Sequence, residues 1–156
     1  MKSRIIYSRY ATILTTIIFV VFFICCIVSI HEKPVFFTLL SIYIVLIISA
    51  LFFAPAYIKA TPDYVIMGSI LRSKKISMLD IDNVELFQPT MGAIRIFASG
   101  GFMGYWGMFR EGDIGRYYAF YGKASDCFLI RMKNGDKYVL GCDNPSHMVA
   151  FIRSQI

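Results

Sequence analysis

The chain opens with two long apolar runs and then changes rhythm. Between Arg9 and His31 stand 21 uncharged residues, 10–30, which as a helix measure about 31 Å, the thickness of a hydrocarbon core of about 30 Å. The polar turn His31-Glu32-Lys33-Pro34 interrupts the pattern, and 24 uncharged residues, 35–58, follow before Lys59. A span needs only about 20 residues, so the second helix is expected to stop near Pro55 within 35–58. Two such helices joined by the turn 31–34 run antiparallel. From Tyr57 onward the solid runs give way to short alternating segments, which read as strands at 64–68, 75–78, 83–87, 93–98, 116–121, 126–132 and 137–142.

Charge adds an orientation to this pattern. Lys2, Arg4 and Arg9 precede the first run, and Lys59, Arg72, Lys74 and Lys75 follow the second, whereas the turn carries Lys33 offset by Glu32. By the excess of basic residues on cytoplasmic flanks, both termini are expected in the cytoplasm, with 1–9 as a short flank and 59–156 as a cytoplasmic domain. A cleaved signal is not expected. The first run exceeds a signal's apolar core, and Val28-Ser29-Ile30-His31 is a poor cleavage site. The net charge of +6 splits evenly between residues 1–55 and 56–156. No concentrated basic face emerges, so nucleic acid is not an expected partner. With 57% apolar and 17% charged residues, the composition excludes an ordinary soluble enzyme and a disordered chain.

Within the alternating region, Lys133-Asn134-Gly135-Asp136 reads as a two-residue type I′ turn, because Asn-Gly suits two positive φ angles. That register sets Ile130 opposite Val139, Phe128 opposite Gly141 and Arg131 opposite Tyr138, with Phe128, Ile130, Met132 and Val139 on one core face. It also sets Cys127 opposite Cys142, about 5.5 Å apart and within disulfide reach, though a cytoplasmic site keeps thiols reduced. Cys25 and Cys26 fall in the first apolar run. The chain closes in a helix, introduced by Asp143-Asn144-Pro145-Ser146 and carrying Met148, Phe151, Ile152 and Ile156 at helical spacing.

A strand-rich domain, an Asn-Gly hairpin and a capped last helix, in that order, resemble bacterial pleckstrin-homology-like (PH-like) domains. The resemblance extends to Tyr64-Val65-Ile66-Met67-Gly68, Ile76-Ser77-Met78, Asp80-Ile81 and Val84-Glu85, read as successive strands. The stretch 97–121 is similar to a subgroup of small membrane proteins with two helices ahead of such a domain. The implied fold is membrane-anchored α+β: a two-helix transmembrane hairpin plus a PH-like bent β-barrel of about seven strands, capped by the C-terminal helix. PH domains that read phosphoinositides carry a dense basic motif in the first hairpin loop. Here Arg72-Ser73-Lys74-Lys75 lies near such a position, and Phe151 stands where many eukaryotic members have Trp. The resemblance therefore implies a binding platform.

Two sets of residues are candidates for contact. Residues 92–122 hold eight of the eleven glycines and nine aromatics, including the single Trp. At their centre Phe102, Met103, Tyr105, Trp106, Met108 and Phe109 read either as filling for the domain's own core or as a partner or membrane contact. Lys59, Arg72, Lys74 and Lys75 are candidates for anionic lipid headgroups, the alternative being a solvated face. No nucleophile-base arrangement, P-loop, HExxH or metal-ligand spacing is present, so no catalytic residue, cofactor or metal is expected. The expectation is a non-enzymatic adaptor or assembly subunit of a bacterial inner membrane, its partners the lipid bilayer and a protein or a second copy. An anionic-lipid surface sensor, acting through the basic hairpin and the aromatic-glycine segment, is the alternative.

Overall fold

The computed structural model describes residues 1–90 and 92–156. Strand β1 (Lys2–Arg4) leads into α1 (Arg9–Val28), a 3-10 turn (Ser29–His31) and α2 (Lys33–Phe53). The domain follows as β2 (Tyr57–Ala60), β3 (Tyr64–Gly68), β4 (Ser73–Ser77), β5 (Ile81–Leu86), β6 (Ile94–Gly101), β7 (Gly104–Glu111), β8 (Gly115–Tyr121), β9 (Cys127–Met132), β10 (Lys137–Gly141) and α3 (Pro145–Arg153). Both long helices have the length and apolarity to cross a membrane, and each is only 6% buried over its most apolar window. Ser8 caps α1 by accepting from the Ala11 N–H, and Pro34 sits in the first turn of α2, where a missing N–H costs nothing.

The second helix ends at Phe53, close to Pro55 as expected and short of the outer bound at 58, because Pro55 cannot continue it and Tyr57 and Ile58 instead pair with β3. Residues 1–9 are not a free flank. Lys2, Ser3 and Arg4 pair with Lys59, Ile58 and Tyr57, so the chain's first strand joins the sheet that begins just after α2.

The described strands number ten, not about seven, and they form two sheets that do not close into a barrel: β1-β2-β3-β4 and β5-β9-β10-β8-β7-β6. The smaller sheet and α3 pack on one face of the larger, enclosing Ile58, Val65, Val84, Phe128, Ile130, Leu140, Met148 and Ile152. The opposite face of the larger sheet curls over a second core of Phe109, Tyr117, Ala119, Leu129 and Val139. Glu111, itself buried, pins the β5–β6 connection there by accepting from the Thr90 N–H (3.0 Å). The larger sheet, with six strands, is wider than its four-stranded cover, whose rim carries the exposed Arg72 and Lys74.

The β9–β10 hairpin is shifted by one residue from the expected register. Ile130 faces Tyr138, Leu129 faces Val139, and Arg131 faces Lys137. Gly135 alone among the turn residues has positive φ (+89°), and its N–H donates to the Met132 carbonyl. This is a three-residue loop, a type I turn closed by a left-handed glycine. The slip sends Val139 to the second core with Leu129, away from Phe128 and Ile130. Cys127 then faces Gly141, not Cys142, and all four thiols are free. Burial pushes the Cys127 and Cys142 thiols up, which keeps them protonated.

Candidate functional site

The aromatic-glycine segment is the β6–β7 hairpin, and most of it is occupied by the chain itself. Its tip lies along α1: the Met103 N–H donates to Thr15 Oγ1 (2.8 Å), and the Phe102 ring meets Phe19 at 5.7 Å. Such contact needs glycine on either side, since a Cβ at Gly101 or Gly104 would run into Tyr10 and Leu14 or Tyr7. The Tyr7 hydroxyl in turn donates to the Pro55 carbonyl, and burial pushes its pKa up to about 12. Tyr105 stacks on Tyr121 (4.9 Å) and Phe109, 3% exposed, stacks on Tyr117 (6.0 Å), both toward the second core. Trp106 stacks on Phe53 at the end of α2 (5.1 Å), and its buried indole N–H has no acceptor. Met108 alone of the six candidates is exposed.

The neighbouring strand, expected at 93–98 and found as β6, carries an exposed apolar surface that was not among the contact candidates. Ile94, Ile96 and Phe97 on β6 are 66%, 50% and 84% exposed. Cross-strand pairing groups the side chains of β6, β7, β8 and β10 on this face into rows that run from the covered middle of the larger sheet to its bare β6 edge. Trp106 and Phe120 form the row nearest α2, Phe97, Met108, Tyr118 and Tyr138 the next, and Ile94, Arg110 and Arg116 the outermost. A bulge at Ile96 breaks the alternation of β6, so that Ile94 and Phe97 pair with Arg110 and Met108 on one face.

The four candidate cations separate into two pairs. Lys59 and Lys75 share a row with Lys2 and Ile66 on the outer face of the smaller sheet. Lys74 lies on the inner face, in step with the buried Ile76. Its ammonium donates to the Tyr138 hydroxyl (3.0 Å) and sits 4.7 Å and 5.4 Å from the Tyr138 and Tyr118 ring centres. Burial pushes the Tyr118 phenol up, against the opposing pull of Lys74 and Arg72. The Arg72 guanidinium lies 6.0 Å from the Phe53 ring.

Arg72 and Lys74 thus stand on one wall of a cleft of about 270 Å³ whose other walls are Phe52 and Phe53 of α2, Met67, Ser69, Tyr118 and Phe120. The loop that carries Arg72 is anchored to the helix end, where the Leu71 N–H donates to the Leu51 carbonyl (3.1 Å). Ile70 and Leu71, 63% and 58% exposed, flank that end. Two cations on an aromatic wall suit an anion attached to an apolar body. Among the described residues, no three His, Cys, Asp or Glu side chains gather in a metal-binding group.

A family model described as bacterial PH domain matches residues 57–156. No curated protein and no solved structure matches the chain.

Proposed function

The chain belongs to the bacterial PH-domain family, and on that premise we propose a non-enzymatic binding module, tethered to a bacterial inner membrane, whose Arg72–Lys74 cleft takes the phosphate of an anionic lipid headgroup. In this reading α1 and α2 cross the bilayer, and both termini and the domain stand on the cytoplasmic side, where Lys and Arg flank the spans. The β6–β7 tip then enters the lipid beside α1, since Phe19 lies ten residues, or about 15 Å, into the helix. Ile70 and Leu71 rest at the interface next to the end of α2.

The observation that carries the reading is the meeting of Arg72 and Lys74 with the last aromatic turn of a span-length helix in one cleft. A phospholipid presents the matching pair, a phosphate above an acyl chain. Each basic residue near an anionic surface contributes about 1 kcal/mol, so the cleft pair is worth about 2 kcal/mol, or about thirtyfold. The test uses the full chain in nanodiscs and the quenching of Trp106, the single tryptophan, by brominated phosphatidylglycerol against brominated phosphatidylcholine. Arg72→Glu with Lys74→Glu is expected to remove the preference for the anionic lipid. Lys59→Glu with Lys75→Glu should leave it within about threefold, their outer-face charges being screened by salt. Equal losses from the two pairs would make the attraction a general surface effect and reject the cleft.

A second reading is favoured by the bare rows of the larger sheet. Phe97, Met108, Tyr118, Arg110 and Arg116 have the aromatic, Met and Arg character of protein interfaces. As an adaptor the module would hold a partner protein, or a second copy, there.

A further inference from the structure

We infer that the ligand of the cleft carries two anionic groups, the first held by Arg72 and Lys74 and the second by Arg110 and Arg116. The inference rests on the headgroup reading above and extends it to the chemistry of the headgroup.

Arg110 on β7 and Arg116 on β8 are directly opposite partners. Like charges in that position destabilise a sheet, and neither arginine belongs to an ion pair among the described residues. Both are exposed, on the face that carries Tyr118, one row beyond it. Arg116 lines a cavity that shares two wall residues with the cleft, and Arg110 stands beside Arg116 as its cross-strand partner. That second cavity, of about 340 Å³, is also lined by Met108 and Asp136, and the residues it shares with the cleft are Lys74 and Tyr118. Lys74 therefore stands between the two, over the Tyr118 row.

Successive rows are two residues apart along the strands, about 7 Å. Since β7 runs from Trp106, against α2, to Arg110, the arginine row lies on the side away from the helices. A ligand rooted at Phe52 and Phe53 would meet Arg72 and Lys74 first and the arginine pair further out. The floor between them, Met108 and Tyr118, is mostly apolar. The one carboxylate on the cavity wall, Asp136, is engaged by the Asn134 amide (3.0 Å). Paired guanidinium groups match the oxygens of a phosphate in a bidentate manner, which an ammonium cannot do. The ligand class is therefore an extended diphosphate or polyphosphate, borne by a lipid or free in solution.

The experiment uses the full chain in nanodiscs and calorimetric titration. The lipid probes are phosphatidic acid and diacylglycerol pyrophosphate. The soluble probes, added to phosphatidylcholine nanodiscs, are inorganic phosphate and tripolyphosphate. The extended probe of at least one pair is expected to bind about tenfold tighter than its single-phosphate counterpart, from hydrogen bonds to a charged group. Arg110→Gln with Arg116→Gln should reduce that preference to within about twofold and leave the single-phosphate probe unchanged. Arg72→Gln with Lys74→Gln should weaken both members of the pair. A preference confined to the lipid pair assigns the ligand to the membrane, and one confined to the soluble pair assigns it to solution. Thermal unfolding of the Arg110/Arg116 double variant should stay at or above the parent midpoint, as relief of like-charge repulsion requires. A preference that survives those substitutions, or none at all while single phosphate binds, overturns the inference and leaves the cleft standing. Failure of every probe to bind overturns both.

Discussion

The two ends of the six-stranded sheet differ in what lies over them. At one end, just inside the edge strand β5, β9 is buried on both faces through Cys127, Phe128, Leu129 and Ile130, between the small sheet with α3 on one side and the second core on the other. At the other end β6 begins Ile94-Arg95-Ile96-Phe97, every residue exposed. Both strands are apolar and belong to one hydrogen-bonded sheet. The lesson is that apolar character earns burial only where another element is wide enough to cover it, and the four-stranded sheet stops at β4, whose rim carries the two cations of the cleft. The covered end accounts for stability. The bare end is free for ligands or partners.

The sharpest way to break that contrast is truncation at both ends. Phe128→Ala, at a position with no exposure, is expected to cost about 3–5 kcal/mol in chemical unfolding. Phe97→Ala, at 84% exposure, should stay within about 0.5 kcal/mol. A comparable loss at Phe97 would mean that β6 is covered and that the bare half is not bare.

The join between hairpin and helix comes next. Thr15→Val removes the acceptor of the Met103 N–H and should cost about 1–3 kcal/mol, with hydrogen exchange at Met103 rising sharply and exchange in β9 unchanged. Unaltered exchange at Met103 would place the hairpin tip free of α1.

Alkaline pH tests the buried phenols. Tyr7, Tyr117, Tyr118 and Tyr121 are all pushed above 10.0 by burial, Tyr7 to about 12. The folded chain holds these protons where the unfolded chain releases them, so stability should be flat below about pH 10 and fall above it. Tyr7→Phe should make the fall between pH 10 and 12 shallower. An unchanged slope would remove Tyr7 from the account.

The smallest effect on folding belongs to the most informative probe of the adaptor reading. A photoreactive residue at Phe97 is expected to leave stability untouched and, if a partner covers the bare rows, to give intermolecular protein adducts in cells. The same residue at Phe102 should give adducts to α1 or to lipid. Protein adducts at Phe102 with none at Phe97 would reverse the assignment of the two surfaces.

Much of the fold was legible. The helices followed from uninterrupted apolar runs, β3 from a short apolar run between Pro62-Asp63 and Gly68, and α3 from its Pro and polar entry. The short strands β1 and β2 were hidden because three or four residues beside a span-length run carry too little pattern to separate from it. Strand β7 was hidden by Gly104 and Gly107, which read as loop residues but accommodate close approaches of Tyr7 and of the Phe97 carbonyl. The β9–β10 register slipped because Asn-Gly is compatible with two loop lengths, and a one-residue difference exchanges the faces of every side chain. Lys74 and Lys75 were assigned together, although the inward Ile76 already placed them on opposite faces.

The sequence by itself determined which segments are apolar enough to span a membrane, where the chain changes to strands, and that cations gather after the second run. Those are local properties, decided by composition and period along the chain. Tertiary structure alone decided that Phe53 and Trp106 would stack, that Arg72 and Lys74 would share a cleft with them while Lys59 and Lys75 would not, and that Arg110 and Arg116 would form the next row out. Such neighbours come from α2, β4, β7 and β8, whose juxtaposition depends on how far one sheet covers another, a quantity set by packing across the whole domain.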